Sequence, residues 1–247
     1  MIRRLALAWP DAHPFRARQG RPIRLLATSD ELDPALDVRE NREAIGPIDL
    51  IVGCGDLSPD RLGFLADAFC VPLVYLLGNH DRGGQWLNPR MLPDSTAGLD
   101  RKSVPDLPML FLPWPGDTRG RAHRDDGAAW RQAFHLAAGM ILRPPHGCLI
   151  LSHVPPLDVG DTPADPYHRG FAAYRFLLDR IAPPLWLHGH TALAACADWR
   201  MRYRRTVVAN VTGTVVVELV PPGTTVAPSG PPSVDGTEPG RPGTASG

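Results

Sequence analysis

The chain has 247 residues, which suits one α/β domain with a full core, with or without a small subdomain. Its 26 Lys and Arg balance its 26 Asp and Glu, so bulk charge gives no reason to expect a polyanionic partner. No apolar run reaches the length of a membrane span, and the four cysteines (Cys54, Cys70, Cys148, Cys196) form no CxxC pair, which argues against a zinc knuckle or a disulfide framework.

Met1 to Trp9 carries Arg3, Arg4 and an apolar patch too short for a signal peptide, so a cytoplasmic protein is expected. Residues 1–22 show no sustained period and read as an irregular segment. Ile23–Thr28, Ile48–Gly53 and Pro72–Leu77 are short apolar runs that read as buried strands. Asp33-Pro34 opens a helix between the first two. Ser58-Pro59-Asp60 followed by Leu62, Leu65 and Phe69 gives an N-cap, a proline at N1 and a helical apolar stripe. This βαβαβ punctuation implies parallel strands.

Residues 82–130 are rich in Gly, Pro and Asp and hold one strand, Met109–Leu112. A helix follows with Trp130, Phe134, Ala137 and Ile141 on one face. Cys148–Ser152 is a further buried strand, and Cys54 and Cys148 read as buried thiols. Phe171, Tyr174, Leu177, Leu178 and Ile181 mark a helix that Pro183-Pro184 ends. Leu185–His188 is a short strand, and Arg205–Val211 and Thr214–Val220 read as a hairpin around Thr212-Gly213. The tail, 221–247, has 13 Pro or Gly among 27 residues, with Val226 and Val234 its only large apolar side chains. Such a segment buries too little surface to offset its ordering entropy and is expected to be disordered.

The functional signal lies at the strand ends, where open α/β sheets place their sites. Successive strands end in Thr28-Ser29-Asp30, Gly53-Cys54-Gly55-Asp56, Gly78-Asn79-His80-Asp81, Ser152-His153 and His188-Gly189-His190. Carboxylate, amide oxygen and imidazole are ligands of hard to borderline divalent metals. An Asp at a strand end is ordinarily a helix cap and a lone His an ordinary hydrogen-bonded residue. The five exits together point to a metal site.

The pattern resembles the calcineurin-like metallophosphoesterases, whose motifs run D-x-H, G-D, G-N-H-D, a lone H and G-H-x-H. Asp30, Gly55-Asp56, Gly78-Asn79-His80-Asp81, His153 and Gly189-His190 match, over about residues 23–220. Asp165-Pro166-Tyr167-His168-Arg169-Gly170-Phe171 also resembles a bacterial branch of that family. The resemblance implies an α/β two-sheet sandwich flanked by helices. It implies metal ligation by Asp30, Asp56, Asn79, His153 and His190, with one or two divalent ions (Mn, Fe, Zn or Mg). It departs at Leu32 and Ala192, which replace two histidines that serve one metal, so that metal keeps only Asp30 and the bridging Asp56. Asp33 and His168 are candidate replacements. Asp33 is explained without any metal as an N-cap with Pro34 at N1, and His168 reads equally as a ligand or phosphate contact and as a loop histidine beside the site.

By the same resemblance, His80 protonates the leaving oxygen or stabilises transition-state charge, and Asp81 holds the His80 tautomer. The expected activity is hydrolysis of a small phosphomonoester or phosphodiester by metal-activated water, with manganese a natural metal to supply. The alternative is a catalytically impaired, metal-binding module. Nucleic-acid binding is not favoured: Arg200, Arg202, Arg204 and Arg205, with Trp199 and Tyr203 between them, describe one face of an edge strand. The loops at about 82–108 and 113–128 would set specificity, with Trp86, Trp114 and Arg119 as candidate liners.

Overall fold

The computed structural model describes residues 2–81, 99–100, 107–116, 123–142, 147–162, 164–195, 198–226 and 233–234. The elements in chain order are β1 (Arg3–Ala8), α1 (His13–Arg16), β2 (Ile23–Ser29), α2 (Arg39–Ile45), β3 (Leu50–Gly53), α3 (Pro59–Phe69), β4 (Leu73–Tyr75), β5 (Leu99–Asp100), β6 (Met109–Leu112), α4 (Asp126–Leu142), β7 (Leu149–Ser152), α5 (Ala172–Ile181), β8 (Leu185–His188), β9 (Arg200–Tyr203), β10 (Thr206–Asn210), β11 (Gly213–Val220) and β12 (Ser233–Val234). They build a five-stranded sheet ordered β1-β11-β2-β3-β4 and a seven-stranded sheet ordered β12-β9-β10-β8-β7-β6-β5. The runs β2-β3-β4 and β6-β7-β8-β10 are parallel, as expected from crossovers through helices.

Period-two alternation sorts each strand between two cores. Leu25, Ala27, Leu50, Val52, Leu149, Leu151, Leu185, Leu187, Val207, Ala209, Val215 and Val217 fill the space between the sheets. Their alternates on the five-stranded sheet, Leu26, Ile51 and Val216, pack outward with Ile45 of α2 and with Leu62 and Leu65 of α3. Those on the seven-stranded sheet, Leu110, Ile150, Trp186 and Val208, pack outward with α4 and α5. The result is a helix–sheet–sheet–helix sandwich, the architecture the family resemblance implied.

Three expectations change. First, Arg3–Ala8 is a strand, not irregular chain: β1 lies parallel to β11 from Arg3↔Val215 to Ala8↔Val220, and Trp9 and Phe15 enter the inter-sheet core. Second, β10 and β11 are not a hairpin. β10 belongs to the seven-stranded sheet and β11 to the other, so the chain changes sheets at Val211-Thr212. The crossing is held by Val211 N–H donating to the His188 carbonyl (2.7 Å) and Thr212 N–H donating to Asn210 Oδ1 (2.8 Å). The hairpin is instead β9–β10, turning at Arg204-Arg205 with Arg204 at φ 51°. Third, α4 buries Ala129, Ala133 and Leu136; of the expected face, Trp130 and Ala137 pack at the edge of that core, Phe134 is 58% exposed and stacks on Trp130, and the Ile141 side chain lies outside the described residues. Alanines face the interior because they let the helix approach closely.

Ser58 and Pro59 start α3 as read, with Ser58 Oγ accepting from Arg61 N–H (3.4 Å). Cys54 and Cys148 are buried free thiols, Cys70 is exposed, and Cys196 lies outside the described residues. Of the tail, Pro221–Val226 and Ser233–Val234 are described, the latter pairing with β9. The expected disorder otherwise falls outside the described residues.

Candidate metal centre

The two sheets bring β2, β3, β4, β7 and β8 to one edge, where their exits deliver the polar residues. Asp30, Asp56 and His190 have φ of 60°, 57° and 65°. A left-handed backbone at three non-glycine residues costs energy, and such strain clusters where side chains must be aimed. The intervening glycines permit close approach. A Cβ at Gly189 would collide with Ser29 and Asp30, and one at Gly55 with His153 and the Gly78 backbone.

His153 is fully buried. Its Nδ1 lies 2.8 Å from the Cys54 carbonyl, an acceptor only, so Nδ1 carries a proton. Its Nε2 faces Asn79 Oδ1 at 2.7 Å and Asp56 Oδ2 at 3.1 Å. Three lone-pair-bearing atoms from β3, β4 and β7 therefore converge, and such a set needs a cation between its members. Burial opposes charge on His153, but the hydrogen bond and charge of Asp56, with Asp30 behind it, outweigh burial and push its pKa up to about 9. For Asp56, burial is likewise outweighed, by His153 and the His80 amide, and its pKa is lowered.

Ligand atoms of Asp30, Asp56 and His153 all lie within 4.8 Å of one another, the one such His/Cys/Asp/Glu group among the described residues. Asn79 Oδ1 adds a fourth donor atom beside His153. This donor set of carboxylates, amide oxygen and imidazole fits a divalent cation. Asp30 Oδ2 already accepts from His190 N–H (2.9 Å) and Thr212 Oγ1 (3.0 Å), which fixes its orientation.

His190 falls outside that compact group. Its Nε2 donates to the Tyr167 carbonyl (3.0 Å), leaving Nδ1 as its available lone pair, and its ring centroid is 4.9 Å from that of His153. Burial first, then the positive His153, lowers its pKa to about 3, so it is a neutral imidazole.

Two expected roles are not met. Asp33 Oδ1 accepts from Ala35 N–H (2.9 Å) and caps the 3-10 turn Pro34–Asp37, outside the metal group. Asp81 does not hold the His80 ring. Its Oδ2 accepts from Asp56 N–H (2.7 Å), Gly78 N–H (2.8 Å) and the Tyr75 hydroxyl. It is a buried brace for the loop carrying Asp56 and Asn79, and burial raises its pKa even against those bonds. At the substituted positions, Leu32 packs against the outer core beside α2 and α3, and Ala192 is exposed.

His80 is exposed. Its backbone N–H donates to Asp56 Oδ1 (2.8 Å), and its Nε2 meets the Tyr167 hydroxyl at 3.2 Å. Tyr167 is the residue that motif reading passed over, although it sits inside the quoted segment 165–171. His168 Nδ1 is held by Asp165 Oδ2 (2.5 Å), with its ring 5.1 Å from that of His190. Trp114 is buried against the site, 5.9 Å from the His190 ring and 6.5 Å from that of His153. Trp86 and Arg119 lie outside the described residues. In the basic run, Arg204 pairs with Asp179 (3.2 Å), Tyr203 is buried and Trp199 packs on the core.

No protein-family model matches the chain, and no curated protein matches it in sequence. One solved structure aligns at 14% identity over 78% of this chain and 91% of its own, with a TM-score of 0.52. The protein TT1561 of Thermus thermophilus aligns at 18% identity over 77% of this chain and 89% of that one, with a TM-score of 0.48. A dimetal phosphatase from Danio rerio aligns at 14% over 77% and 87%, with a TM-score of 0.49. At these identities the likeness is one of fold. Two helix-flanked mixed sheets, with the five motif segments gathered at one edge, give this chain the fold of the calcineurin-like metallophosphoesterases.

Proposed function

We propose that the chain is a metal-dependent phosphoesterase that hydrolyses a small phosphomonoester or phosphodiester, working chiefly with one tightly held divalent ion. The observation that carries this reading is the convergence of His153 Nε2, Asn79 Oδ1 and Asp56 Oδ2, with Asp30 within the same group. A divalent cation held by that set would activate water as a nucleophile at neutral pH and would withdraw charge from a phosphoryl group.

The protein's own groups do the rest. Asp81 and Tyr75 hold the loop that aims Asp56 and Asn79. The exposed His80 stands at the mouth of the site and serves the leaving-group side, where general acid help contributes about 10²–10⁴-fold. His190, neutral and adjacent, is a further candidate ligand through Nδ1, and His168 a candidate substrate contact. With Leu32 and Ala192 in place of histidines, and Asp33 committed to capping, a second ion has few side chains to hold it.

The decisive experiment combines metal analysis of protein purified without chelator with turnover of an aryl phosphodiester in added Mn²⁺. About one ion per chain with measurable turnover supports the reading. No bound metal and no turnover with any divalent ion rules it out. Metal without turnover favours the second reading, a metal-holding binding module. That reading has the exposed His80 against it, since the hydrogen bond of its imidazole among the described residues is to the Tyr167 hydroxyl and not to a candidate ligand.

A further inference from the structure

The segment between β7 and α5 folds back over the metal group and places one side chain there. Its geometry is internally braced. Tyr167 N–H donates to Asp165 Oδ1 (2.9 Å), Asp165 Oδ2 holds His168 Nδ1, and Gly170 N–H donates to Asp161 Oδ2 (2.8 Å). The Tyr167 carbonyl accepts from His190 Nε2 (3.0 Å), and its ring lies 5.5 Å from the His190 ring and 5.0 Å from that of His168. Backbone and ring are thus fixed independently of the hydroxyl, so the hydroxyl's position is set for it.

That hydroxyl has two neighbours. Asn79 Nδ2 donates to it at 2.6 Å, because Asn79 Oδ1 is turned to His153. His80 Nε2 lies 3.2 Å away. A tyrosine hydroxyl has two acceptor lone pairs and one proton to give. When His80 Nε2 carries a proton, both lone pairs are filled by N–H donors. Among the described residues the O–H then has no partner, and it points to whatever enters the site. Tyr167 is 44% exposed, so an entering group can reach it.

We propose that Tyr167 is a catalytic residue: its hydroxyl, with His80 behind it, is the donor that meets the leaving oxygen of the substrate. As the phosphorus–oxygen bond breaks, its electron pair passes to the leaving oxygen. That oxygen takes the proton of Tyr167 Oη, and the phenolate left on Oη is held by the N–H donors of Asn79 Nδ2 and His80 Nε2. Water supplies the new oxygen on phosphorus, so atoms and charge balance. The assignment rests on the phosphoesterase reading above, and it gives His80 an oxygen partner where a carboxylate was expected.

The test is Tyr167→Phe in the full-length protein, which keeps the ring contacts and the backbone carbonyl and removes one oxygen. Turnover is measured with Mn²⁺ on a p-nitrophenyl phosphodiester and on the corresponding phenyl ester, whose leaving group is far more basic, with metal content determined alongside. The expected result is unchanged metal content and a kcat loss on the order of 10²-fold on the phenyl ester, against about tenfold or less on the p-nitrophenyl ester. Equal losses on both esters, no loss, or a gain that would make Tyr167 a plug each overturn the proposal while leaving the phosphoesterase reading intact. Absence of turnover in the unsubstituted protein overturns both.

Discussion

His153 Nε2 lies 2.7 Å from Asn79 Oδ1, with Asp56 Oδ2 3.1 Å away on the same nitrogen. Two acceptor oxygens face a nitrogen whose ring partner already carries a proton. Only a cation resolves that arrangement, and in metal-free protein the cation is a proton on Nε2. Burial disfavours that charge, yet Asp56 and Asp30 lift the His153 pKa to about 9. A metal must displace this proton before Nε2 can ligate. Affinity for Mn²⁺ is therefore expected to rise with pH below about 9, by up to tenfold per unit, and to level off above it. Calorimetric titration in buffers of different ionisation enthalpy should record about one proton released per ion bound at pH 7. A pH-independent affinity between pH 6 and 8 would contradict the arrangement.

Asp81 supplies a second prediction because it braces the loop instead of the catalytic imidazole. Asp81→Ala leaves the Asp56 and Gly78 amides and the Tyr75 hydroxyl without their shared acceptor. A buried donor left unpaired costs about 1–3 kcal/mol, so the variant should lose at least that in urea denaturation. Metal retention should fall with it, since Asp56 loses its support. Asp81→Asn keeps one carbonyl oxygen and should recover part of both. Unchanged stability in Asp81→Ala would show that the loop holds itself.

Asp81 also illustrates what a sequence can and cannot disclose. Short apolar runs capped by polar residues revealed the strands and the edge they serve, since period-two burial and strand-end placement are local properties. The partners of Asp81 were hidden because Tyr75 and Gly78 meet it only through the fold of the loop. Tyr167 was hidden for the same reason, joining Asn79 across 88 positions of sequence. The sheet change at Val211-Thr212 read as a hairpin because a glycine between two β-rich runs looks alike in both topologies. Residues 1–22 read as irregular because Leu5 and Leu7 alternate over too short a span to stand out beside the arginines.

Asp33 separates capping from ligation. Its Oδ1 accepts from Ala35 N–H, an ordinary N-cap arrangement. Asp33→Ala should therefore cost about 0.5–2 kcal/mol of stability and leave metal stoichiometry unchanged. Loss of an ion from that variant, read by metal analysis of the purified protein, would return Asp33 to the ligand set.

The cysteines give a prediction that needs no metal. Burial pushes the Cys148 thiol up to about 12 and raises Cys54 further, while Cys70 is exposed at the end of α3. Thiolate is the reacting form, so Cys54 and Cys148 should resist iodoacetamide in folded protein at pH 8 while Cys70 is alkylated. Peptide mass spectrometry reads each site separately. Rapid labelling of Cys54 would mean that the strand exit carrying Asp56 opens in solution.

The N-terminal strand can be tested through Trp9. Its indole is fully buried between the sheets, and its backbone N–H extends the β1–β11 ladder to Val220 at 2.9 Å. Truncating a buried Trp to Ala costs about 3–5 kcal/mol, through lost transfer free energy and the cavity left behind. Among the described residues the buried indole Nε1 has no hydrogen-bond partner, which places the expected cost of Trp9→Ala toward the lower end of that range. Trp9→Phe keeps most of the packing and removes the orphaned donor, so it should cost considerably less. If residues 1–22 were only an irregular leader, both variants would match the unsubstituted protein in thermal and urea denaturation. A clear loss in Trp9→Ala with partial recovery in Trp9→Phe is the outcome that a parallel edge strand anchored in the core requires.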